Sequence, residues 1–382
     1  MPKNSTKTWV EIDQSAYEHN IKILKSLLSP EVTFCSVLKA NAYGHGLELM
    51  TELGIQNGIN SFAVDSIDEA VKIRSISQNI EIYILGYIPE ERLRDAIFIN
   101  AIITIYDEIT VQKLAQCAQD LQKTCFVNIK CETGTQRQGI AEKDFKHLLA
   151  SIEKQNGLVQ IYSLASHFSS SEKALKPDIT IKQNEIFDFF IETCERFGFK
   201  PKHLHISCSA STILYPETHK SLVRIGIAQY GLWPSQDVKE LFTKKRPTFQ
   251  LKPILNWKTR IAQIKDIGSG TAVGYDQIFV SDRPMRIAIL PVGYYDGLVR
   301  SLSNKGHVII HGQKCSILGL ICMNMCVVNI SSVPNANIGD EVIILGRGGM
   351  NVISADDHAL MTNTIHYEVV TRIAEHIPRI LV

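Results

Sequence analysis

The chain has 382 residues, 45% of them apolar and 21% charged, with 40 Lys plus Arg against 39 Asp plus Glu. At about 100–200 residues per domain it holds about two domains, each long enough to bury a core, and the balance excludes wholesale disorder. A formal charge of +1 gives no whole-chain footprint for nucleic acid or for an anionic membrane surface.

In chain order, Met-Pro-Lys-Asn-Ser-Thr-Lys at the N-terminus lacks the apolar core of a signal peptide. Residues 7–13, around Thr8-Trp-Val-Glu-Ile-Asp13, alternate like a strand. From residue 30 on, short β-branched or apolar runs alternate with helical spacing. The runs are 34–39, 61–64, 81–86, 102–106, 125–130, 158–167, 203–209 and 222–227; intervening stretches such as 107–120 and 142–153 read as helices. This pattern predicts an α/β fold, a (β/α)8 TIM-type barrel over residues 14–245. A doubly wound open sheet is the rival, but no Gly-x-Gly-x-x-Gly follows the first strand. From residue 246 to 382 strand-like runs dominate, at 257–267, 285–292, 307–310, 315–321, 326–330 and 341–345. A mostly β domain is expected there, with 7–13 joining its sheet. The nine cysteines form no Cys-x-x-Cys pair, and Cys322 and Cys326 sit in an apolar strand-like run. Neither a disulfide framework nor a metal site is indicated. No run reaches about 18 apolar residues, so no bilayer span is expected, and the chain is assigned to the cytoplasm.

Chemistry on such a barrel gathers at the carboxyl ends of the strands. Lys39 ends the first predicted strand and Lys130 the fifth, with Arg137 in the loop beyond. His167 ends the sixth, Ser209 the seventh and Arg224 the eighth, before Gly226 and Ile227. Several cations on one rim repel one another unless an anion offsets them. A lone strand-end lysine that merely reaches solvent is the plain alternative. Lys39 has apolar Val37-Leu38 behind it and Tyr43 four residues on, a setting for a Schiff-base lysine.

Val37-Leu-Lys-Ala-Asn-Ala-Tyr-Gly-His-Gly46 resembles the pyridoxal phosphate (PLP) lysine motif of the alanine racemase family. Further resemblances follow in order: Lys130-Cys-Glu-Thr-Gly-Thr-Gln-Arg-Gln-Gly139, Arg224-Ile-Gly-Ile-Ala-Gln-Tyr-Gly-Leu232, Val273-Gly-Tyr-Asp276, Gly293-Tyr-Tyr-Asp-Gly297, Ile321-Cys-Met-Asn324 and Ile365-His-Tyr-Glu-Val369. They run from Trp9 to Arg379. The resemblance implies a homodimer with active sites shared between subunits, acting on a small amino acid, with alanine first. It implies a supply of D-alanine for peptidoglycan. Lys39 would hold PLP and act as one base, with Tyr275 as the other from the neighbouring subunit. A tyrosine, with a pKa of ~10, is a poor base without cations nearby, and Arg137 and His167 would supply that field. Arg224 would face the pyridine nitrogen. Tyr43, Ser209, Gly226, Ile227 and Tyr367 would bind the phosphate, and His167 would orient the tyrosine. Arg137 and the backbone of Met323 would grip the substrate carboxylate. Lys130 matches a lysine carbamylated in many relatives, and Glu172, Tyr294, Arg300 and Leu320 would frame the entrance.

Departures from the family pattern bear on substrate range. Glu132 stands at a usual Asp, Thr135-Gln136 at Met-Gly, Cys208 at Asn, Leu320 at Arg and Asn324 at Asp. Leu320 removes the charge that the family sets opposite an acid, here Glu172. A racemase of serine or another amino acid is therefore an alternative. So is a PLP-dependent decarboxylase of the same architecture, which Arg224 disfavours, and a non-catalytic PLP carrier resembles the barrel alone.

Overall fold

The computed structural model describes residues 6–173 and 177–382; residues 1–5 of the stretch read for a signal peptide lie outside the described residues. Among the described residues the strands are β1 Thr8–Ile12, β2 Thr33–Val37, β3 Ser61–Val64, β4 Glu81–Ile84, β5 Ile102–Ile105, β6 Cys125–Lys130, β7 Val159–Ala165, β8 His203–His205 and β9 Leu222–Ile225. Beyond them run β10 Leu255–Arg260, β11 Gln263–Ile267, β12 Met285–Leu290, β13 His307–Ile310, β14 Gln313–Leu318, β15 Cys326–Asn329, β16 Glu341–Gly348, β17 Asn351–Ile353 and β18 Arg379–Leu381. No helix among these residues is long and apolar enough to cross a membrane.

Two compact units result. The barrel unit comprises Ser15–Ala42 and Met50–Pro253; the β unit comprises the described residues up to Gln14, then Tyr43–Leu49 and Ile254–Val382. Residues 246–253, counted with the second domain in the sequence, stay with the barrel unit because Asn20 binds Lys252 twice, through its carbonyl at 2.8 Å and its N–H at 2.9 Å.

In the barrel unit β2 to β9 form one eight-stranded parallel sheet in the order β8-β7-β6-β5-β4-β3-β2-β9. β9 returns to β2 with Thr33 opposite Leu222. Ser221 N–H to Leu204 O (3.2 Å) and Arg224 N–H to Ser207 O (3.0 Å) bring β8 against β9, so the sheet nearly closes. The strands bury both faces, as Ile102-Ile-Thr-Ile105 does, which explains their continuous β-branched runs. Each helix then covers one face. Glu108–Leu121 starts where the Asp107 side chain accepts the Thr110 N–H, buries Val111, Leu114, Ala115 and Ala118, and stops at left-handed Gln122; that i, i+3, i+4, i+7 stripe is what the sheet needs.

In the β unit, β1 lies between β10 (antiparallel) and β18 (parallel). Trp9 and Trp257 are buried there, and Lys258 bridges Glu11 (2.8 Å) and Glu341 (2.6 Å). The run 257–267 breaks into β10 and β11. β17, β18 and the helices Ala355–Thr362 and His366–Thr371 add to the strands expected. Cys322 falls in a turn, half-buried, while Cys326 begins β15, so the two thiols do not share a strand.

At the amino-terminal end of the barrel, Glu81 accepts from Tyr162 Oη (2.5 Å) and Lys202 Nζ (2.6 Å), with His203 Nε2 at 3.5 Å. Burial raises this carboxyl, but the hydrogen bonds from His203, Lys202 and Tyr162 outweigh that and hold it at about 2. A depressed carboxyl stabilises the fold fully above its unfolded value and loses that contribution as pH falls through the folded one. Glu81→Gln should therefore cost about 1–3 kcal/mol near neutrality. The gap in unfolding free energy from the parent should shrink as pH falls from about 4.5 toward 2; a pH-independent gap in denaturant titrations would rule out this assignment.

Candidate active site

Arg224, buried within β9, is the hub of the barrel rim. Its Nη2 donates to Ser166 O at 2.7 Å, Ile206 O at 3.2 Å and His167 Nδ1 at 3.3 Å; its Nη1 donates to His205 O at 3.1 Å and to His205 Nδ1. A guanidinium has donors only. Both histidines must then accept at Nδ1, which leaves their protons on Nε2. Electrostatics agrees. Burial, then Lys130, Arg224, Arg137 and Lys39, push His167 well below the ordinary histidine range. Burial, Arg224 and Lys130 do the same to His205. His167 is therefore neutral and supplies no positive field, contrary to the sequence expectation. His205 escaped the sequence reading, although the alternation from His203 sets both on one face of β8.

The other rim residues stand at or just beyond strand ends. Lys39 follows β2 by two residues and is half-buried; His167 follows β7 by two. Ser209 does not end a strand: β8 stops at His205, and Ser209 opens the short helix Ser209–Leu214. Its Oγ accepts the N–H of Gly226 (3.1 Å) and of Ala228 (3.4 Å), fixing the turn that contains Ile227. Cys208, beside it, has Sγ 3.3 Å from Ser171 Oγ. Lys130 ends β6; burial, then Arg224 and Arg137, push its ammonium well below the lysine range.

Arg137 is exposed in the loop after β6, and Glu132 braces that loop. Its Oε1 accepts from Gly134 N–H (2.5 Å) and Thr135 N–H (2.7 Å). Thr135 Oγ1 donates to His167 O at 2.7 Å, joining the loop to the β7 end. Glutamate at this position is thus an intraloop acceptor, a role the sequence did not reveal. Glu172 is exposed, and its carbonyl accepts from Ser235 Oγ at 2.7 Å.

Between Lys39 and Gly44 the backbone is unusual: Ala40, Asn41, Ala42 and Tyr43 all have φ of 52–54°. The turn is left-handed, anchored by Ala42 N–H to Leu38 O (2.7 Å) and Asn41 N–H to Glu69 Oε1 (3.2 Å).

In the β unit Tyr43 and Tyr367 come together, with ring centroids 6.2 Å apart. A Cβ on Gly44 would fall 2.0 Å from Val370 O, so only glycine permits this approach. Tyr275 stands 69% exposed in the turn Tyr275–Gln277, after Gly274. Met323 is also exposed; its carbonyl accepts the Tyr295 N–H at 2.9 Å. Tyr294 and Arg300 meet at a recess of about 420 Å³ with Gly297, Val299 and Arg372. Leu320 is half-buried, its backbone beside Gly274.

Comparisons with known proteins converge. Residues 12–234 match the alanine racemase N-terminal domain and residues 254–381 the alanine racemase C-terminal domain. An alanine racemase of Leptospira interrogans serovar Lai is 38% identical over 100% of this chain and 97% of its own length. The crystal structure of a Bacillus anthracis alanine racemase with bound L-Ala-P is similar with a TM-score of 0.92 at 29% identity, covering 98% of this chain and 95% of that one. A Bartonella henselae alanine racemase with covalently bound pyridoxal phosphate gives 0.84 at 25% identity, over 99% and 100%.

Replacing Glu132 by Ala removes the acceptor of two loop N–H groups. The expected cost is about 1–3 kcal/mol, read as a lower thermal midpoint and faster amide exchange at 134–137; unchanged exchange there would contradict the bracing role.

Proposed function

The chain belongs to the alanine racemase family, and on that footing we propose which of its residues carry out the family's reaction, the interconversion of L- and D-alanine. The observation that carries the reading is the placement of Lys39, Lys130 and Arg224 at or just beyond the ends of β2, β6 and β9, with Arg137 in the loop after β6 and His167 Nδ1 accepting from Arg224. Such a rim repels itself and suits an anionic cofactor together with a carboxylate substrate.

The family is PLP-dependent, and the residues present fit that group. Lys39 offers an amine for the aldehyde. Ser209 Oγ, the Gly226 and Ile227 backbone, Tyr43 and Tyr367 offer the hydroxyls and N–H groups that a phosphate takes. Arg224, which cannot release a proton, suits an unprotonated pyridine nitrogen. When bound, PLP supplies the electron sink that no side chain provides. Arg137 and the Met323 N–H bind the substrate carboxylate. Lys39 Nζ takes the Cα proton on one face while Tyr275 Oη returns a proton on the other; the opposite enantiomer reverses the roles. His167, with its proton on Nε2, is left a donor to orient the tyrosine. The exposure of Tyr275 in its own chain supports a role in a neighbouring subunit, and we assign a homodimer with shared sites. Glu172, Tyr294, Arg300 and Leu320 frame the entrance. The product serves as D-alanine for cell-wall peptidoglycan.

Lys130 is suited to carbamylation. A neutral amine attacks CO2 and releases a proton, and the resulting carbamate anion pairs with Arg137. Incubation with 13C-bicarbonate should give a carbamate carbon signal that disappears in Lys130→Ala; a signal that persists would place the modification elsewhere.

The decisive assay is racemisation of alanine, serine, lysine and arginine by the PLP-loaded protein, with alanine turned over fastest. The loaded protein should be yellow, and borohydride should fix the cofactor on Lys39. Lys39→Ala should lose about 10²–10⁴-fold in rate. Tyr275→Phe should keep the cofactor but block α-proton exchange preferentially from one enantiomer; equal loss from both would refute the two-base assignment.

A further inference from the structure

Asp296 has no solvent exposure, a state an acid tolerates only when its oxygens are matched. Its Oδ2 accepts the Gly293 N–H at 2.9 Å and its Oδ1 the His376 Nε2–H at 3.2 Å. Its backbone carbonyl accepts the Ala374 N–H at 3.1 Å. His376 also stacks on Tyr295, with centroids 4.8 Å apart and planes 22° from parallel.

The loop closed by Asp296 lies against the Met323 turn. Tyr294 N–H donates to Cys322 O at 3.1 Å and Tyr295 N–H to Met323 O at 2.9 Å. A Cβ on Gly293 would stand 2.2 Å from Cys322 O and 2.4 Å from Met323 O, so the two backbones meet with no side chain between them. The turn is closed on its other side by Cys322 N–H to Met325 O at 2.9 Å. The direction in which the Met323 N–H points is therefore set by the 293–296 loop, which the Asp296 carboxylate closes together with backbone bonds from the Asp296 and Leu298 N–H groups to Gly293 O, both 3.1 Å.

We propose that Asp296, tied to His376, is a positioning residue for the substrate carboxylate, because it fixes the loop against which the Met323 N–H is aimed. This rests on the reading of that N–H as a carboxylate donor. The same residue anchors the 374–376 segment, and a Cβ on its neighbour Gly297 would stand 2.3 Å from Arg372 O, yet the Tyr367 helix has further holds that do not involve Asp296. Gly44 packs on Val370, and Arg379 Nη2 donates to Gly44 O (2.8 Å) and to Ile373 O (2.9 Å). Loosening Asp296 therefore weakens carboxylate binding and leaves cofactor retention unchanged.

The test uses the PLP-loaded enzyme and propionate, which has the carboxylate and methyl of alanine without the amine, followed through the cofactor's visible absorption. Asp296→Asn should bind propionate about tenfold more weakly, the size expected for a weakened charge-assisted hydrogen bond. KM for L-alanine should rise in parallel, with kcat within about twofold and cofactor retention on dialysis unchanged. His376→Phe keeps the stack on Tyr295, removes the Oδ1 partner and should give a smaller shift in the same direction; it decides the matter if Asp296→Asn fails to fold. Met323→Pro deletes the N–H and tests the underlying reading. If Met323→Pro weakens propionate while Asp296→Asn and His376→Phe bind it like the parent, the positioning role is overturned and the reading stands. If all three bind like the parent, the Met323 reading fails and the positioning role with it.

Discussion

A buried guanidinium that can only donate constrains the whole barrel rim. Arg224 directs its fork at the carbonyls of Ser166, His205 and Ile206 and at the ring nitrogens of His167 and His205. The loops after β7 and β8 are thereby fixed to β9, and the tautomers of two histidines are chosen. After burial, the larger cause, the positive charge of Arg224 also pushes the Lys130 ammonium below the lysine range. Position, protonation and ligand preference at this rim share one cause: a cation buried among acceptors, surrounded by groups that cannot neutralise it.

Much of this was legible in the chain. Each of the eight barrel strands lies within or against a run of apolar and β-branched residues, because strands buried on both faces cannot hide that composition. Lys39, Arg137 and Arg224 were found by position along the alternation, and the motif around Lys39 by its resemblance to the family. What escaped did so for physical reasons. β17 and β18 are three residues each, too short to show a period. His205 sits inside a strand run with no motif of its own, and its importance arises from a neighbour 19 residues away. Glu132 looked like a departure from the family pattern, and only the loop geometry shows its oxygens turned back onto the backbone. His167 was expected to add to the positive field, but the number of cations around one ring cannot be counted before the strands are brought together.

The β unit is built differently from the barrel. Its functional segments are positioned by contacts of backbone on backbone: the Tyr43 segment against the Tyr367 helix at Gly44, and the Tyr294 loop against the Met323 turn at Gly293. Such contacts leave no room for side-chain repacking, so they fix distance more tightly than an apolar interface does. Side chains such as Tyr275 and Met323 stay exposed, and Asp296 helps to close the loop that meets the Met323 turn.

The left-handed turn between Lys39 and Gly44 has an energetic consequence. Four consecutive non-glycine residues in that conformation carry roughly 1–2 kcal/mol of strain each, which the hydrogen bonds around the turn, such as those at Ala42, Asn41 and Tyr43, have to offset. Such strain persists only where the surrounding structure over-determines it, so the segment keeps its shape through partners such as Leu38 and Glu69 and not through its own backbone preference.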